Sequence, residues 1–385
     1  MDKDLVIVFG ISNNNLLGMI RSLGKRGMSV VVLLEPCNLY FCALRYSKYI
    51  AKIHFLKNLD EALSILRTKY SDRSEKVPVL TGSDKSAALL DSHYDELREY
   101  FVFFNAGRQG RISYFLDKIN TFPLVHKSGI AIIPTWHFTG GDDIPNDIIY
   151  PCITKGNNST CSSKSDMVIC RSRADLEKAV RPNVDYLVQK FIRKEYELDI
   201  IGFSCEHGKR VLLPGVVYKV REFLDRQSLF VRLDDVAKYP YLPLDAIRDL
   251  IESIKYEGIF SVELIYSEGK YYFLEVNLRN DAMAYIYSYA GANYPYLWVQ
   301  YAQDRLPKGF ESSVRIKSPI YMMQESDLYT MLEGRFSFWR WIRDFFRTNV
   351  FQVLDVADIK PFLYIMRVHV IQVLKRPIRK LGFKV

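Results

Sequence analysis

The segment YYFLEVNLRND, residues 271–281, places a carboxylate, an amide and a guanidinium at every second position of an otherwise apolar stretch. Alternate side chains of an extended strand share a face, so Glu275, Asn277 and Arg279 are predicted to lie together. The same alternation is also typical of a strand with one face in water, because antiparallel sheets are often solvated on one side. The polar face is therefore either a functional site or a wet edge.

A second carboxylate, Glu263, lies in the preceding apolar segment GIFSVELIY, and a hairpin is predicted to join the two segments. A three-residue loop, 268–270, would pair Glu263 with Glu275 on one face, whereas a two-residue loop would put them on opposite faces. Two buried carboxylates repel each other unless a cation lies between them. Together with the Asn277 amide they are predicted to bind Mg²⁺, which takes oxygen ligands and keeps phosphate oxygens and water.

The segments upstream indicate how this site is positioned. Apolar runs alternate with helical patterns through the first 110 residues, which predicts a doubly wound, mostly parallel sheet. The first turn, GISNNNLLG, lacks the GxGxxG spacing of dinucleotide sites, which argues against a dehydrogenase. Glu35 nevertheless ends the second strand, where a ribose-binding acid would lie.

Taken together, these segments resemble the ATP-grasp superfamily of carboxylate-amine ligases, which includes biotin carboxylase. Glu263 followed by ExNxR at 275–279 is similar to the metal-binding signature of that superfamily. FLDKINTFPLVHKSGIAIIPT resembles its opening helix with an ATP-contacting lysine, here Lys118. YPCITKG resembles the strand whose last lysine, here Lys155, reaches the phosphates.

YLVQKFIRKEYELDIIGFS resembles the hinge strand of the same superfamily. The resemblance implies that the main chain at Lys190 and Ile192 and the side chain of Gln189 contact the adenine, and that Glu197 faces the ribose. Lys219 and Arg221, in VVYKVREF, are predicted to add cationic contacts to the triphosphate.

The resemblance implies an α/β protein of the ATP-grasp fold with a basic, helical C-terminal tail. The expected parts are a Rossmann-like domain (1–112), a small lobe that acts as a lid (113–188) and a large lobe with the metal site (189–310). Residues 311–385 are expected to be an extension, and the enzyme core is expected to be complete without them. The implied activity is an ATP- and Mg²⁺-dependent ligation of a small carboxylic acid to an amine through an acyl phosphate. Lys155 and Arg279 would neutralise the developing charge.

Within the superfamily, the opening segment looks most like the D-aspartate ligase-like branch, which implies an amino acid joined to a cell-envelope or surface-polysaccharide precursor. Asp84, Lys85 and Arg279 are assigned to recognition of the acid. The alternative is an ATP-binding module without turnover, because the loop after Lys155, GNNSTCSSKSD, is poor in glycine. Hydroxyl groups would have to replace main-chain donors in this lid: Ser159, Thr160, Ser162 and Ser163.

The six cysteines are scattered without a CxxC pair, and the N-terminus does not resemble a signal peptide, so we expect a cytoplasmic protein with free thiols. The net charge of +9 is concentrated after residue 330, where eleven Lys or Arg and four Asp or Glu leave +7. No nucleic-acid-binding motif accompanies this charge. No apolar run is long enough for a membrane span.

The segment FSFWRWIRDFFR, within the basic region 335–385, predicts an amphipathic helix. An aromatic face would oppose three arginines: Phe338, Trp339, Trp341, Ile342, Phe345 and Phe346 against Arg340, Arg343 and Arg347. This composition is typical of a helix that lies on an anionic membrane. Packing on the core of the protein or in a dimer is the alternative.

Overall fold

The N-terminal part of the protein is a parallel sheet covered on both faces. The computed structural model describes residues 4–157, 167–223, 227–310 and 316–380. The strands of this sheet are β1 Leu5–Gly10, β2 Ser29–Leu34, β3 Ile50–Phe55, β4 Val77–Thr81 and β5 Phe101–Phe103. The helices between and after them are α1 Asn14–Gly24, α2 Asp60–Ile65, α3 Asp84–Ser92 and α4 Tyr94–Leu97. The strand order is β3-β2-β1-β4-β5, and every pairing is parallel. Successive residues of β1 enter two different cores, as expected for a doubly wound sheet.

The small lobe is an antiparallel sheet that follows two helices. The elements, in chain order, are α5 Arg111–Leu116, α6 Lys118–Ser128, β6 Ala131–Ile132, β7 Thr135–Thr139, β8 Cys152–Gly156, β9 Ile169–Cys170, α7 Arg173–Ala179 and β10 Asp185–Lys190. Four of these strands form the sheet, in the order β7-β10-β8-β9. A separate small core, which includes Phe138, Leu176 and Tyr186, holds it together.

The large lobe is built on the second, larger sheet. Its elements are β11 Tyr196–Cys205, β12 Arg210–Leu212, β13 Gly215–Phe223, β14 Gln227–Asp235, α8 Leu244–Ile254, β15 Gly258–Ser267, β16 Lys270–Asn277, α9 Ala284–Ala290, α10 Tyr294–Ala302, β17 Ile320–Met322 and β18 Val350–Phe351. The strand order is β18-β17-β14-β13-β11-β15-β16-β6, with β12 paired to β11. Helix α8 buries Ile247, Leu250 and Ile254 at helical spacing.

The C-terminal residues are part of this fold. They form β17, β18 and three helices, α11 Gln324–Leu332, α12 Phe338–Arg347 and α13 Lys360–Lys380. Arg21 of α1 makes a buried ion pair of 3.0 Å with Asp358. Arg221 of β13 pairs with Asp327 at 2.6 Å and with Asp344 at 2.9 Å. The predicted contact of Arg221 with the triphosphate is therefore wrong, because these two acids engage its guanidinium. The expectation of a core that is complete without 311–385 is therefore wrong, because these residues supply two strands and buried ionic contacts.

Two further properties bear on the expectations from composition. None of the five cysteines within the described ranges forms a disulfide: Cys37, Cys42, Cys152, Cys170 and Cys205. In the same part of the chain, no helix has both the length and the apolar character needed to cross a bilayer.

Candidate active site

The hairpin that carries the polar face has a tighter loop than the sequence predicts. Ser267 pairs with Lys270, so only Glu268 and Gly269 form the loop. Both loop residues have positive φ, 50° and 77°, which matches the twist of a two-residue hairpin. The predicted three-residue loop is therefore wrong, and this loop alone would put the two glutamates on opposite faces.

A β-bulge in β16 restores the predicted pairing. Glu263 lies opposite Glu275, but Leu264 lies opposite Phe273, which leaves Leu274 as the extra residue. One inserted residue shifts the register by one and thereby cancels the effect of the shorter loop. The two carboxylates therefore belong to one cross-strand pair, as predicted.

Nearby lysines offset the repulsion between the carboxyl groups of Glu263 and Glu275. Burial raises the pKa of Glu263 to about 7, against the lowering effect of Lys219, and Glu275 adds to the increase. Burial also acts to raise the pKa of Glu275, but the cations Lys118 and Lys155 bring it below its ordinary value. The two carboxyl groups thus lie in a cation-lined pocket where they oppose each other's ionisation.

Asn157 joins the strand that carries Lys155 to the start of α6, which carries Lys118. Lys118 is the first residue of α6, and its Nζ lies 3.6 Å from a carboxylate oxygen of Glu275. Asn157 follows the strand of Lys155; its carbonyl accepts from the Lys118 N–H at 3.2 Å, and its Oδ1 accepts from the Ile119 N–H at 3.1 Å. Burial lowers the pKa of Lys155, and Glu275 opposes this effect. Both predicted phosphate lysines therefore face the carboxylate pair.

The predicted adenine contacts lie at the end of β10. Gln189 is buried, its Nε2 donates to Thr135 at 3.0 Å, and its Oε1 has no hydrogen-bond partner among the described residues. The Lys190 N–H donates to the Pro134 carbonyl at 2.9 Å, and Ile192 is half-buried. A buried acceptor without a partner costs stability unless a ligand donor reaches it. An exocyclic amino group is such a donor.

Glu197 and Lys219 belong to an ionic network beside the pair. Lys219 contacts Glu197 and lies 3.5 Å from Glu263, while Lys194 contacts Glu197 at 2.9 Å and Glu222 at 2.6 Å. Burial acts to raise the pKa of Glu197, but Lys219 and Lys194 lower it. Lys194, which the sequence argument did not single out, therefore shares the carboxylate that was assigned to the ribose.

Arg279 connects the hairpin with the N-terminal sheet. Its Nε donates to Asp84 at 2.7 Å, its Nη2 to Asn277 at 3.2 Å, and its Nη1 to the carbonyl of Asn280 at 3.2 Å. Asp84 begins α3 directly after β4, at the crevice where the strand order reverses and α/β proteins commonly bind ligands. The structure thus brings Asp84 and Arg279 together, whereas Lys85 is exposed.

Two polar side chains near this crevice, Asn15 and Glu35, are engaged in hydrogen bonds within the protein. Asn15 donates to the carbonyls of Gly82 at 2.9 Å and Asn280 at 2.7 Å, and so joins the first turn of α1 to the loop after β4 and to the segment after β16. Glu35 is buried and accepts a hydrogen bond from Ser83. The acid that a dinucleotide ribose would need is therefore already engaged, which further disfavours the dehydrogenase alternative.

Asp199 is a carboxyl group of this site that the sequence argument missed. It lies opposite Glu263 on the neighbouring strand β11, is 4% exposed, and its Oδ1 has no hydrogen-bond partner within the described ranges. Burial, Asp281 and Glu263 raise its pKa well above the ordinary value. The alternation of Glu197 and Asp199 in EYELDII, which matches that in YFLEVN, was the available signal.

The donor set is that of a hard cation shared with a ligand. Glu263, Glu275 and Asn277 offer carboxylate and amide oxygens, and Mg²⁺ usually takes one or two carboxylates and completes its shell with phosphate oxygens and water. No group of three or more His, Cys, Asp or Glu side chains in the described part of the chain forms a metal cage by itself. The predicted lid hydroxyls, in 158–166, lie outside the described residues.

Comparison with known proteins identifies the fold. No protein-family model and no curated protein sequence matches the chain. An L-amino acid ligase from Bacillus licheniformis is similar in structure, with a TM-score of 0.64 and 16% identity over 83% of this chain and 79% of that one. N5-carboxyaminoimidazole synthetase from Staphylococcus aureus has a TM-score of 0.65 and 16% identity over 87% and 86%.

A third structure, solved with MgADP and bicarbonate, is the biotin carboxylase domain of Hydrogenobacter thermophilus 2-oxoglutarate carboxylase. It has a TM-score of 0.64 and 17% identity over 82% of this chain and 73% of that one. All three are ATP-grasp proteins. The predicted ATP-grasp fold is confirmed.

Proposed function

We propose that the protein is an ATP- and Mg²⁺-dependent ligase that joins a carboxylic acid to an amine. The observation that carries this proposal is the Glu263–Glu275 pair, which lies close to the cations Lys118 and Lys155. Carboxylates beside ammonium groups suit a magnesium triphosphate, because the carboxylates bind the cation and the ammonium groups bind the phosphates. The similar structures, among them an amino acid ligase and a synthetase, support this reading of the site.

The residues take the following roles in this proposal. Glu263, Glu275 and Asn277 would hold Mg²⁺, which would supply positive charge to the phosphate oxygens. The carboxylate of the acid attacks the γ-phosphorus of ATP and ADP leaves. The amine then attacks the acyl carbon of the resulting acyl phosphate and releases inorganic phosphate. The chain's cations, Lys155 and Arg279, stabilise charge on the transferring oxygens. Gln189 and the main chain at Lys190 and Ile192 would orient the adenine, Glu197 the ribose, and Lys118 and Lys219 the phosphates.

The substrates proposed are an amino acid and an amine of a cell-envelope or surface-polysaccharide precursor. The Arg279–Asp84 pair supports this choice, because its guanidinium suits a carboxylate and its carboxylate suits an ammonium group. The likeness to the L-amino acid ligase agrees with it. Such precursors are assembled at the cytoplasmic membrane, so we propose that the protein is cytoplasmic and works beside that surface.

The direct test measures ADP release with Mg²⁺ and ATP across a panel of amino acids, each alone and with candidate amines. We expect release that depends on both an acid and Mg²⁺. Nucleotide binding by calorimetry without release under any condition would favour the ATP-binding module without turnover, for which the glycine-poor lid argues. No binding at all would refute both functions.

Removing either phosphate lysine should weaken ATP binding without unfolding the protein. For Lys118→Ala and Lys155→Ala we expect the Kd for MgATP to rise roughly tenfold or more, because each loses a charge-assisted hydrogen bond worth about 1.5–3 kcal/mol. Calorimetry measures the affinity. Lys127→Ala is the matched control, since Lys127 is exposed on the same helix α6. Equal affinities in all four proteins would show that neither lysine contacts the nucleotide.

Arg279→Lys should lower kcat/KM for the acid although it keeps the charge. A lysine cannot reproduce the planar fork that contacts Asp84, Asn277 and the main chain, so we expect a loss of roughly 10- to 100-fold with little change in nucleotide affinity. Steady-state kinetics with varied acid measures this effect. The control is Arg248→Lys, at a half-exposed helix arginine that pairs with Asp245. Unchanged kinetics for Arg279→Lys would remove Arg279 from the mechanism.

A further inference from the structure

The Phe338–Arg347 helix, α12, carries an exposed apolar wedge. Trp339 and Phe346 are 78% and 80% exposed and lie seven residues apart, so at 3.6 residues per turn they project from nearly the same side of the helix. Trp341 and Phe345, which were predicted to share this surface, instead pack on each other with ring centroids 5.1 Å apart, and Phe345 also packs on Phe351. The predicted aromatic face is thus divided between half-buried rings and exposed ones.

Buried charge fixes the orientation of this helix. Asp344 is 3% exposed and accepts a hydrogen bond from Arg221 of β13 at 2.9 Å, so one side of α12 is tied to the main sheet. Trp339 and Phe346 consequently stay on the outside. Arg343 and Arg347 are exposed next to this wedge. One side of α12 therefore packs on the protein, and the opposite side is exposed.

The last helix, α13, carries a second exposed apolar stripe. Leu363, Met366 and Val370 are exposed at spacings of three and four residues, while Ile365 and Val368 are buried on the opposite side. It adjoins α11 through His369, which lies 3.7 Å from Glu325 and whose ring contacts Tyr329. α11 in turn packs on α12. Both helices that carry an exposed stripe therefore contact α11.

Charge indicates what covers these stripes. The chain after residue 330 has a net charge of +7, whereas the preceding 330 residues have only +2. Exposed Trp and Phe beside arginines suit the headgroup region of a bilayer, where rings lie at the interface and basic groups meet anionic lipid. A second copy of the chain would bring +7 against +7, which opposes association through this surface.

We propose that α12 and α13 form a peripheral docking surface for an anionic lipid bilayer. Trp339 and Phe346 insert among the headgroups, the stripe of α13 lies against the same surface, and the basic side chains bind lipid phosphates. This inference does not depend on the catalytic assignment, because none of these residues lies in the candidate active site.

The test is cosedimentation of the full-length protein with vesicles of phosphatidylglycerol and phosphatidylcholine. We expect binding at low salt, release at high salt and weak binding to pure phosphatidylcholine, since screening acts on exposed charges. Trp339→Ser with Phe346→Ser, and separately Arg343→Gln with Arg347→Gln, should each weaken partitioning about tenfold or more. MgATP affinity should stay at the wild-type value, which reports on folding.

Matched control variants distinguish binding through this surface from nonspecific adsorption to vesicles. Tyr241→Ser removes an aromatic ring that is 93% exposed but lies in the loop before α8. Lys57→Gln with Lys127→Gln removes two exposed charges outside the C-terminal helices. Both should bind vesicles like the wild type. Equal partitioning of the wild type and all variants would overturn the proposal. It would also be overturned if sedimentation velocity showed that the wild type is a dimer and that only the α12 variants are monomers.

Discussion

Glu275→Gln is expected to lose Mg²⁺-dependent ADP release by at least about 100-fold, the usual effect of removing an electrostatic stabiliser at a reacting centre. The substitution keeps the side-chain volume but replaces a charged oxygen with an amide, which weakens any bond to Mg²⁺. It also removes the partner that lies 3.6 Å from Lys118. Initial rates at saturating ATP with varied Mg²⁺ measure the loss.

The control for this variant lies on the same hairpin. Glu268→Gln changes an exposed glutamate in the hairpin loop, away from the bulge at Leu274. It should leave turnover unchanged. Thermal unfolding of both variants should stay close to that of the wild type. If Glu275→Gln retained full, Mg²⁺-dependent turnover, the hairpin would not be the metal site and the proposed ligase mechanism would lose its basis.

Arg21→Met is expected to lower the free energy of unfolding by about 3–5 kcal/mol, because it leaves Asp358 as an uncompensated buried charge. The side chains of Arg21 and Asp358 are 0% and 1% exposed. Asp358 also accepts hydrogen bonds from the Ser47 hydroxyl at 2.8 Å and the Lys48 N–H at 2.9 Å, which only partly neutralise it. Denaturant unfolding measures the change.

Two further variants test the cause of this loss. Adding Asp358→Leu to Arg21→Met removes the orphaned charge as well and should recover part of the stability. Arg67→Gln breaks an ion pair with Glu96 whose members are 45% and 46% exposed, and it should cost much less than Arg21→Met because solvent screens the pair. If Arg21→Met cost no more than Arg67→Gln, the C-terminal segment would contribute little to the stability of the N-terminal domain.

The hairpin shows which part of the site was predictable. Alternation along YFLEVN placed Glu275 and Asn277 on one face, because side-chain direction in a strand is a local property of the backbone. The pairing with Glu263 was predicted correctly, but through a loop that the protein does not have. A bulge at Leu274 is set by packing on both faces of the sheet, so nothing local to YYFLEV indicates it.

Contacts between distant segments were less accessible. The sequence assigned Asp84 and Arg279 to one role, but it did not predict the 2.7 Å bond between them. Asp344 and Asp358 entered the sequence argument only through the charge count of the tail, although both are buried against arginines of other elements. Such partners are chosen by tertiary packing, and a charge pattern along the chain cannot distinguish a buried acid from an exposed one.

The Arg21–Asp358 ion pair has a consequence for synthesis on the ribosome. Its two residues are 337 positions apart in the chain. At elongation rates of about 5–20 residues per second, roughly 20–70 s separate their translation. During that interval the guanidinium of Arg21 lacks the carboxylate that will neutralise it. It lies on a face of α1 that is fully buried in the finished protein. The N-terminal sheet thus reaches its final electrostatic state only after the segment that carries Asp358 has emerged.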